Sequence, residues 1–352
     1  MSVAPLRVAV LGAGTVGREV VRLLLERSGQ PAIHDGPSLE LAGVAVRNVA
    51  AATRRGLPAD LLTDAPAHLV ADPTTDVIVE LMGGDEPAHT LIAAALGAGK
   101  PVVTANKHLV ARHGAELESI SRRTRAALRF EAAVGGGLPV LGPLAGDLAA
   151  DRVTAVRGLL NGTTNFMLTA MTEDGLEYDE VLDAARSHGY AEADPRGDVE
   201  GHDAANKLVI LVRLAFGVWL EPAAVATTPD AGPGRGRPGI TGVTRADIES
   251  AAASGQVVKL LATARRGADG RIAASVLPTL VPAGSPLGRT GGVLNRIEID
   301  AEPLGTVAFE GPGAGGAATS SAVLGDLIAI ARDAGSTWAG LPPAGSTMAA
   351  AR

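Results

Sequence analysis

The apolar run Val8-Ala9-Val10-Leu11 leads straight into Gly12-Ala13-Gly14-Thr15-Val16-Gly17, and a helix-forming stretch, 18–26, follows. A strand that ends on G-x-G-x-x-G and reopens as a helix constrains the fold more than any other feature of this chain. The first glycine of such a turn allows the tight bend. The second lets backbone approach a pyrophosphate, and the third lets the helix pack close to the strand. The helix N-terminus then offers unpaired N–H groups and a positive dipole end to phosphates. Gly12, Gly14 and Gly17, with Thr15 and Val16 between them, therefore read as a dinucleotide cradle.

Strand signals at 6–11, 39–46, 76–81, 101–104 and 128–132 alternate with helical ones at 16–27, 87–98 and 107–123. Alternation of this kind predicts a doubly wound parallel sheet with helices on both faces and ligand beyond the carboxyl ends of the strands. The pattern changes after Gly135-Gly136-Gly137: segments 137–149, 164–172, 179–189 and 204–219 read as helices. Segments 152–160, 256–264, 272–280 and 296–301 read as strands, the last three of an antiparallel sheet, and 232–239 is a loop by composition. The fold class is therefore α/β, a Rossmann-type domain joined to a second α+β domain. The boundaries are 1–135, completed by a C-terminal helix within 311–334, then 136–310, then a loose tail over 335–352.

Composition narrows the functions. Aromatic residues make up only 2% of the chain, so recognition by base stacking is not expected. A net charge of −7 without a long basic run disfavours nucleic acid and anionic membranes. The apolar stretch 208–220 is short and contains Arg213, so it reads as a buried helix. A soluble, cytoplasmic protein is expected. No cysteine is present, which removes thiolate metal sites and thiol nucleophiles. The seven histidines show no H-E-x-x-H or similar spacing, so a catalytic zinc site is unsupported.

Several side chains could carry chemistry. Arg47 follows the second strand, where an NAD site usually has Asp or Glu for the ribose, so NADP is favoured over NAD. Thr104-Ala105-Asn106-Lys107 follows a strand and opens a helix on the ligand side. A lysine there runs against the helix dipole, which points to a use for Lys107. The densest cluster lies within 189–207, with Glu192, Asp194, Asp198, Glu200, Asp203 and Lys207. Asp203 and Lys207 stand four apart at a helix start and share a face. A lysine at the wet end of a buried helix, ringed by carboxylates, reads as a proton donor or acceptor. The stretch Phe130 to Leu138 reads either as a hinge or as a hard-cation site in which glycines aim carbonyls and Glu131 supplies charge.

Across about residues 6–333 the chain resembles homoserine dehydrogenases. The carriers are Gly12 to Gly17, Val103 to Lys107, Phe130 to Gly137, Arg157 to Asn165, Gly189 to Lys207 and Gly311 to Gly316. The resemblance implies NAD(P)-dependent interconversion of L-homoserine and L-aspartate 4-semialdehyde, a step toward threonine, isoleucine and methionine. It also implies a homodimer formed through the sheet of the second domain. By position, Lys207 matches the catalytic lysine and Lys107 a second lysine near the nicotinamide. Glu192, Asp198 and Asp203 match residues that hold the substrate, and Gly162 and Thr163 its pocket wall. Glu131 with the carbonyls of Val134, Gly136 and Leu138 matches a sodium site. Gly83, Thr104 and Gly313 complete the expected cofactor side. Many relatives carry a C-terminal sensing domain; here only 334–352 follow the last helix, so a short form without such feedback is expected. Another amino-acid dehydrogenase, or a dinucleotide sensor without turnover, remains the alternative on the residues alone.

Overall fold

The computed structural model describes residues 4–27 and 37–344. They form two compact units, one running to Ala145 and resuming over Ala314–Pro343, the other spanning Gly146–Gly313.

The first unit alternates strand and helix: β1 (Leu6–Leu11), α1 (Thr15–Arg27), β2 (Leu39–Ala45), α2 (Val49–Arg54), β3 (Leu62–Thr63), α3 (Pro66–Ala71), β4 (Val77–Glu80), α4 (Ala88–Gly97), β5 (Val102–Thr104), α5 (Lys107–Thr124), β6 (Leu128–Arg129) and α6 (Leu141–Ala145). The strands pair in parallel in the order β3-β2-β1-β4-β5-β6. Strand order therefore reverses between β1 and β4, where a doubly wound sheet opens its ligand crevice. Val8 to Leu11 and Val77 to Val79 are wholly buried, as strands covered on both faces must be.

The second unit carries β7 (Arg152–Leu159), α7 (Gly162–Glu173), α8 (Tyr178–Ser187), α9 (Arg196–Val199), α10 (His202–Phe216), α11 (Arg245–Ala253), β8 (Gln256–Arg266), β9 (Ile272–Pro282), α12 (Pro286–Arg289), β10 (Leu294–Glu302) and β11 (Gly305–Pro312). Its sheet is antiparallel in the order β11-β10-β7-β8-β9. Helix α10 packs on β7, β8 and β9 and is buried nearly all round, which its apolar sequence requires. It stops at Gly217, whose left-handed φ of 76° lets its N–H reach the Arg213 carbonyl. The last helix, α13 (Gly316–Ala331), returns to the first unit and buries Val323, Leu324 and Leu327 in the same core as Val20, Val21 and Leu24 of α1.

Three expectations change. The helix read over 137–149 shrinks to α6, because Gly135 and Gly136 take positive φ and Leu141 starts the helix only after Pro139. Strand β11 went unread because it is an edge strand bounded by Gly and Pro, with only Val307 and Phe309 to mark its half-buried face. The tail read as loose from Gly335 begins as a docked segment. Trp338 is buried against Phe130 at 5.2 Å, and Thr337 N–H donates to the Leu128 carbonyl. Residues 345–352 of that tail lie outside the described residues.

Candidate active site

The three glycines of the first unit do different work. Gly12 has φ of 100°, and a Cβ there would lie 2.7 Å from the Leu81 carbonyl oxygen. A Cβ on Gly17 would lie 2.0 Å from the Gly12 carbonyl oxygen. Gly14 meets nothing within 4 Å, so its surface is open to a ligand. Thr15 and Val16 open α1, so the helix N-terminus faces the same turn. Beside it lies a cavity of about 800 Å³ lined by Gly12, Gly14, Arg18, Arg47, Arg55 and Gly83. Asp64 and Glu86 also reach it, so three guanidiniums face two carboxylates.

Sequence reasoning singled out Arg47 alone among those arginines. Arg18 carried a signal, since a cation in the first turn of a helix opposes the dipole. It also missed Glu80, the last residue of β4. This fully buried carboxylate accepts from Met82 N–H at 2.7 Å, Gly83 N–H at 3.1 Å and the Thr104 hydroxyl at 2.6 Å. Thr104 in turn accepts from Asn106 N–H, and Asn106 donates to the Gly84 carbonyl and caps α5 through Leu109 N–H. Glu80 thus ties together the loops after β4 and β5. The Thr104 hydroxyl is turned into this network, while Lys107 stands half-buried at the first position of α5.

In the second unit the polar cluster is built around Lys207. Its ammonium, 8% exposed as a residue, donates to Asp203 Oδ2 at 2.7 Å and to the Leu160 carbonyl at 2.6 Å. Asn161 caps α7 through Thr164 N–H and uses its amide to donate to Asp198 at 2.7 Å and Asp203 at 3.0 Å. Asn295 of β10 donates to the same Leu160 carbonyl at 3.1 Å. Its Oδ1 is buried without a partner, an atom whose desolvation is uncompensated. A Cβ on Gly313 would strike the Asn295 side chain at 2.1 Å, so this glycine makes room for that amide in the second unit.

The expected ring of carboxylates around Lys207 is smaller than the sequence suggests. Asp203 touches it and Asp198 is linked through Asn161. Asp194 pairs with exposed Arg196, which holds its carboxyl down at about 2, and Glu200 meets His202 at 3.1 Å. Glu192 is exposed and outside this network. Thr163 donates to the Tyr190 carbonyl at 2.7 Å, and Gly162 packs where a Cβ would come 2.8 Å from the Val293 carbonyl oxygen.

Glu131 belongs to the first unit. Its carboxylate accepts from the N–H groups of Val140, Leu141 and Gly142, and its own N–H donates to Asp326. Burial, then the nearby Asp326, raises its pKa. Burial likewise raises that of Asp326, against the pull of Arg129. Val134, Gly136 and Leu138 are buried on the intervening loop, where the Leu138 carbonyl already accepts from Val140 N–H.

Comparison with known proteins agrees with both halves. The family model of the homoserine dehydrogenase NAD-binding domain matches residues 12–131, and that of homoserine dehydrogenase matches residues 139–328. A homoserine dehydrogenase of Mycobacterium leprae is 46% identical over 330 residues, 93% of this chain and 72% of that protein. The crystal structure of a homoserine dehydrogenase from Thiobacillus denitrificans superposes with a TM-score of 0.88 at 36% identity, covering 96% of this chain and 79% of that one. A hyperthermophilic archaeal homoserine dehydrogenase in complex with NADPH superposes with a TM-score of 0.76 at 28% identity, covering 94% and 98%. The chain belongs to the homoserine dehydrogenase family of nicotinamide-dinucleotide oxidoreductases.

Proposed function

We propose that the chain interconverts L-homoserine and L-aspartate 4-semialdehyde, with Lys207 as the proton donor and acceptor. The observation that carries this reading is the buried Lys207 ammonium held between Asp203 and the Leu160 carbonyl. The nicotinamide, when bound, supplies or accepts the hydride. In the reductive direction negative charge grows on the aldehyde oxygen, and an ammonium in a water-poor setting stabilises it and then releases its proton there. Asp203 fixes the direction of that N–H and keeps the charged form buried. Glu192 and Asp198 bind the substrate's ammonium in this reading, and the turn at Gly162 and Thr163 walls its pocket. Lys107 polarises the carbonyl or grips the cofactor from its place at the start of α5.

NADP is the preferred cofactor in this reading. Arg47, with Arg18 and Arg55 on the same cavity, gives a phosphate three guanidiniums, the best match for its oxygens. Gly12 to Gly17 and Gly83 shape that side and Thr104 braces it through Glu80, while Gly313 keeps its cofactor role in this reading on the resemblance alone. A sodium ion would be held by Glu131 with the carbonyls of Val134, Gly136 and Leu138. Its support is that the Glu131 carboxylate stands desolvated beside the buried Asp326, whose charge Arg129 already balances. We also read the protein as a cytoplasmic homodimer joined through the antiparallel sheet. Among the described residues no helix is long and apolar enough to cross a membrane. The test is homoserine-dependent reduction of NADP and of NAD at alkaline pH, in sodium or potassium, with sedimentation for the dimer. Activity on aspartate but not homoserine would redirect the assignment.

A further inference from the structure

Away from the dinucleotide turn, helices α4 and α5 pack together and bring two histidines into contact. The rings of His89 and His113 stack with centroids 4.1 Å apart and 24° between planes. His113 and Glu116 stand three apart on α5 and so share a face. Among the described residues, His89, His113 and Glu116 form a group whose donor atoms all lie within 4.8 Å of one another.

We propose that His89, His113 and Glu116 bind a first-row transition-metal dication such as zinc, cobalt or nickel. Imidazole nitrogens with one carboxylate are the donor set these ions prefer. His89 Nε2 lies 3.1 Å from Glu116 Oε2, close to the edge of about 3.3 Å that bonds of about 2.0–2.1 Å give a tetrahedron. Further acids surround the rings. Asp85 is 2.7 Å from His113 Nε2 and Glu86 is 3.3 Å from His89 Nδ1. A carboxylate on an imidazole fixes its tautomer and raises its basicity as a ligand. Three carboxylates face the pair, while Arg112, 3.9 Å from Asp85, is the nearby cation on that side. Two stacked imidazolium ions would repel each other at this spacing; neutral rings sharing one dication do not. Both rings are partly exposed, so an ion can enter and water can fill the remaining position. His89 and His113 are 24 positions apart, which is why no motif announces them.

The site lies within one unit and does not depend on the reading of Lys207. It would join α4 to α5, and Glu86 also lines the dinucleotide cavity. The test uses tag-free, chelator-stripped full-length protein titrated with cobalt(II), then zinc. The expected result is saturable cobalt binding with visible d–d absorption, displacement by zinc and a raised melting temperature. His89→Ala and His113→Ala each weaken binding at least about tenfold, and Glu116→Gln weakens it measurably. Far-UV circular dichroism and NADPH binding verify that the variants fold. Absence of saturable binding in the wild type, or unchanged affinity in the double histidine variant, would overturn the proposal.

Discussion

The two units bury opposite charges. The first encloses carboxylates: Glu80, Glu118 and Asp326 are all under 4% exposed. The second encloses cations: Lys207, Arg213 and Lys259 are buried, while Glu298, the acid buried in this unit among the described residues, pairs with Arg157 and Arg296. Each arrangement suits what the unit presents. Buried anions in the first unit tie down backbone N–H groups and leave its guanidiniums and helix N-terminus facing the cavity, where phosphates are wanted. In the second unit Lys259 is held by the Asn165 amide and the Thr290 carbonyl, and Lys207 by the Leu160 carbonyl together with the Asp203 carboxylate. Space and backbone shape the cavity of the first unit, and a side-chain network shapes the polar cluster of the second.

Removing the anchor of the buried ammonium tests the contrast most severely. Asp203→Ala leaves Lys207 on a carbonyl alone and is expected to cost about 3–5 kcal/mol of stability together with most of the turnover. Chemical denaturation and steady-state rates would register both. Lys259 offers a test through pH. Burial pulls its pKa from 10.5 to about 8, below its unfolded value. Between those values the unfolded chain holds the extra proton, so this group adds stability as pH rises from about 8 to about 10.5, at up to about 1.4 kcal/mol per unit. Lys259→Met should lose that slope in urea titrations across the window. In the first unit, Gly17→Ala forces a methyl against the Gly12 carbonyl and should cost about 1–3 kcal/mol and weaken NADPH binding, read by fluorescence. Arg47→Ala is the mildest change. It should weaken NADPH about tenfold, some 1.4 kcal/mol, and leave NADH nearly as it was. Equal losses for both cofactors would place the phosphate elsewhere.

Much of the first unit was legible because its signals are local. Strand, glycine turn and helix follow one another within 6–27, and three glycine positions suffice to place the cavity. The pairing of Lys207 with Asp203 was also legible, since four residues on a helix fix a shared face. What joins them to the rest was not. Asn161 reaches Asp198 and Asp203 across 37 and 42 positions, and Asn295 reaches the Leu160 carbonyl across 135. Those contacts depend on how β7, β10 and α10 pack, which no local pattern encodes. Glu80 looked like an ordinary strand end because its partners are backbone N–H groups and a threonine 24 positions on. Exposed Glu192 shows the reverse: an acid rich in promise by sequence stands outside the hydrogen-bonded cluster.

The central claim concerns a single side chain, and a paired measurement on Lys207→Ala addresses it directly. Homoserine-dependent NADP reduction and NADPH affinity would be determined on the same folded preparation. The account predicts turnover lower by about two or more orders of magnitude, with dinucleotide affinity essentially unchanged. Turnover near that of the wild type would contradict it.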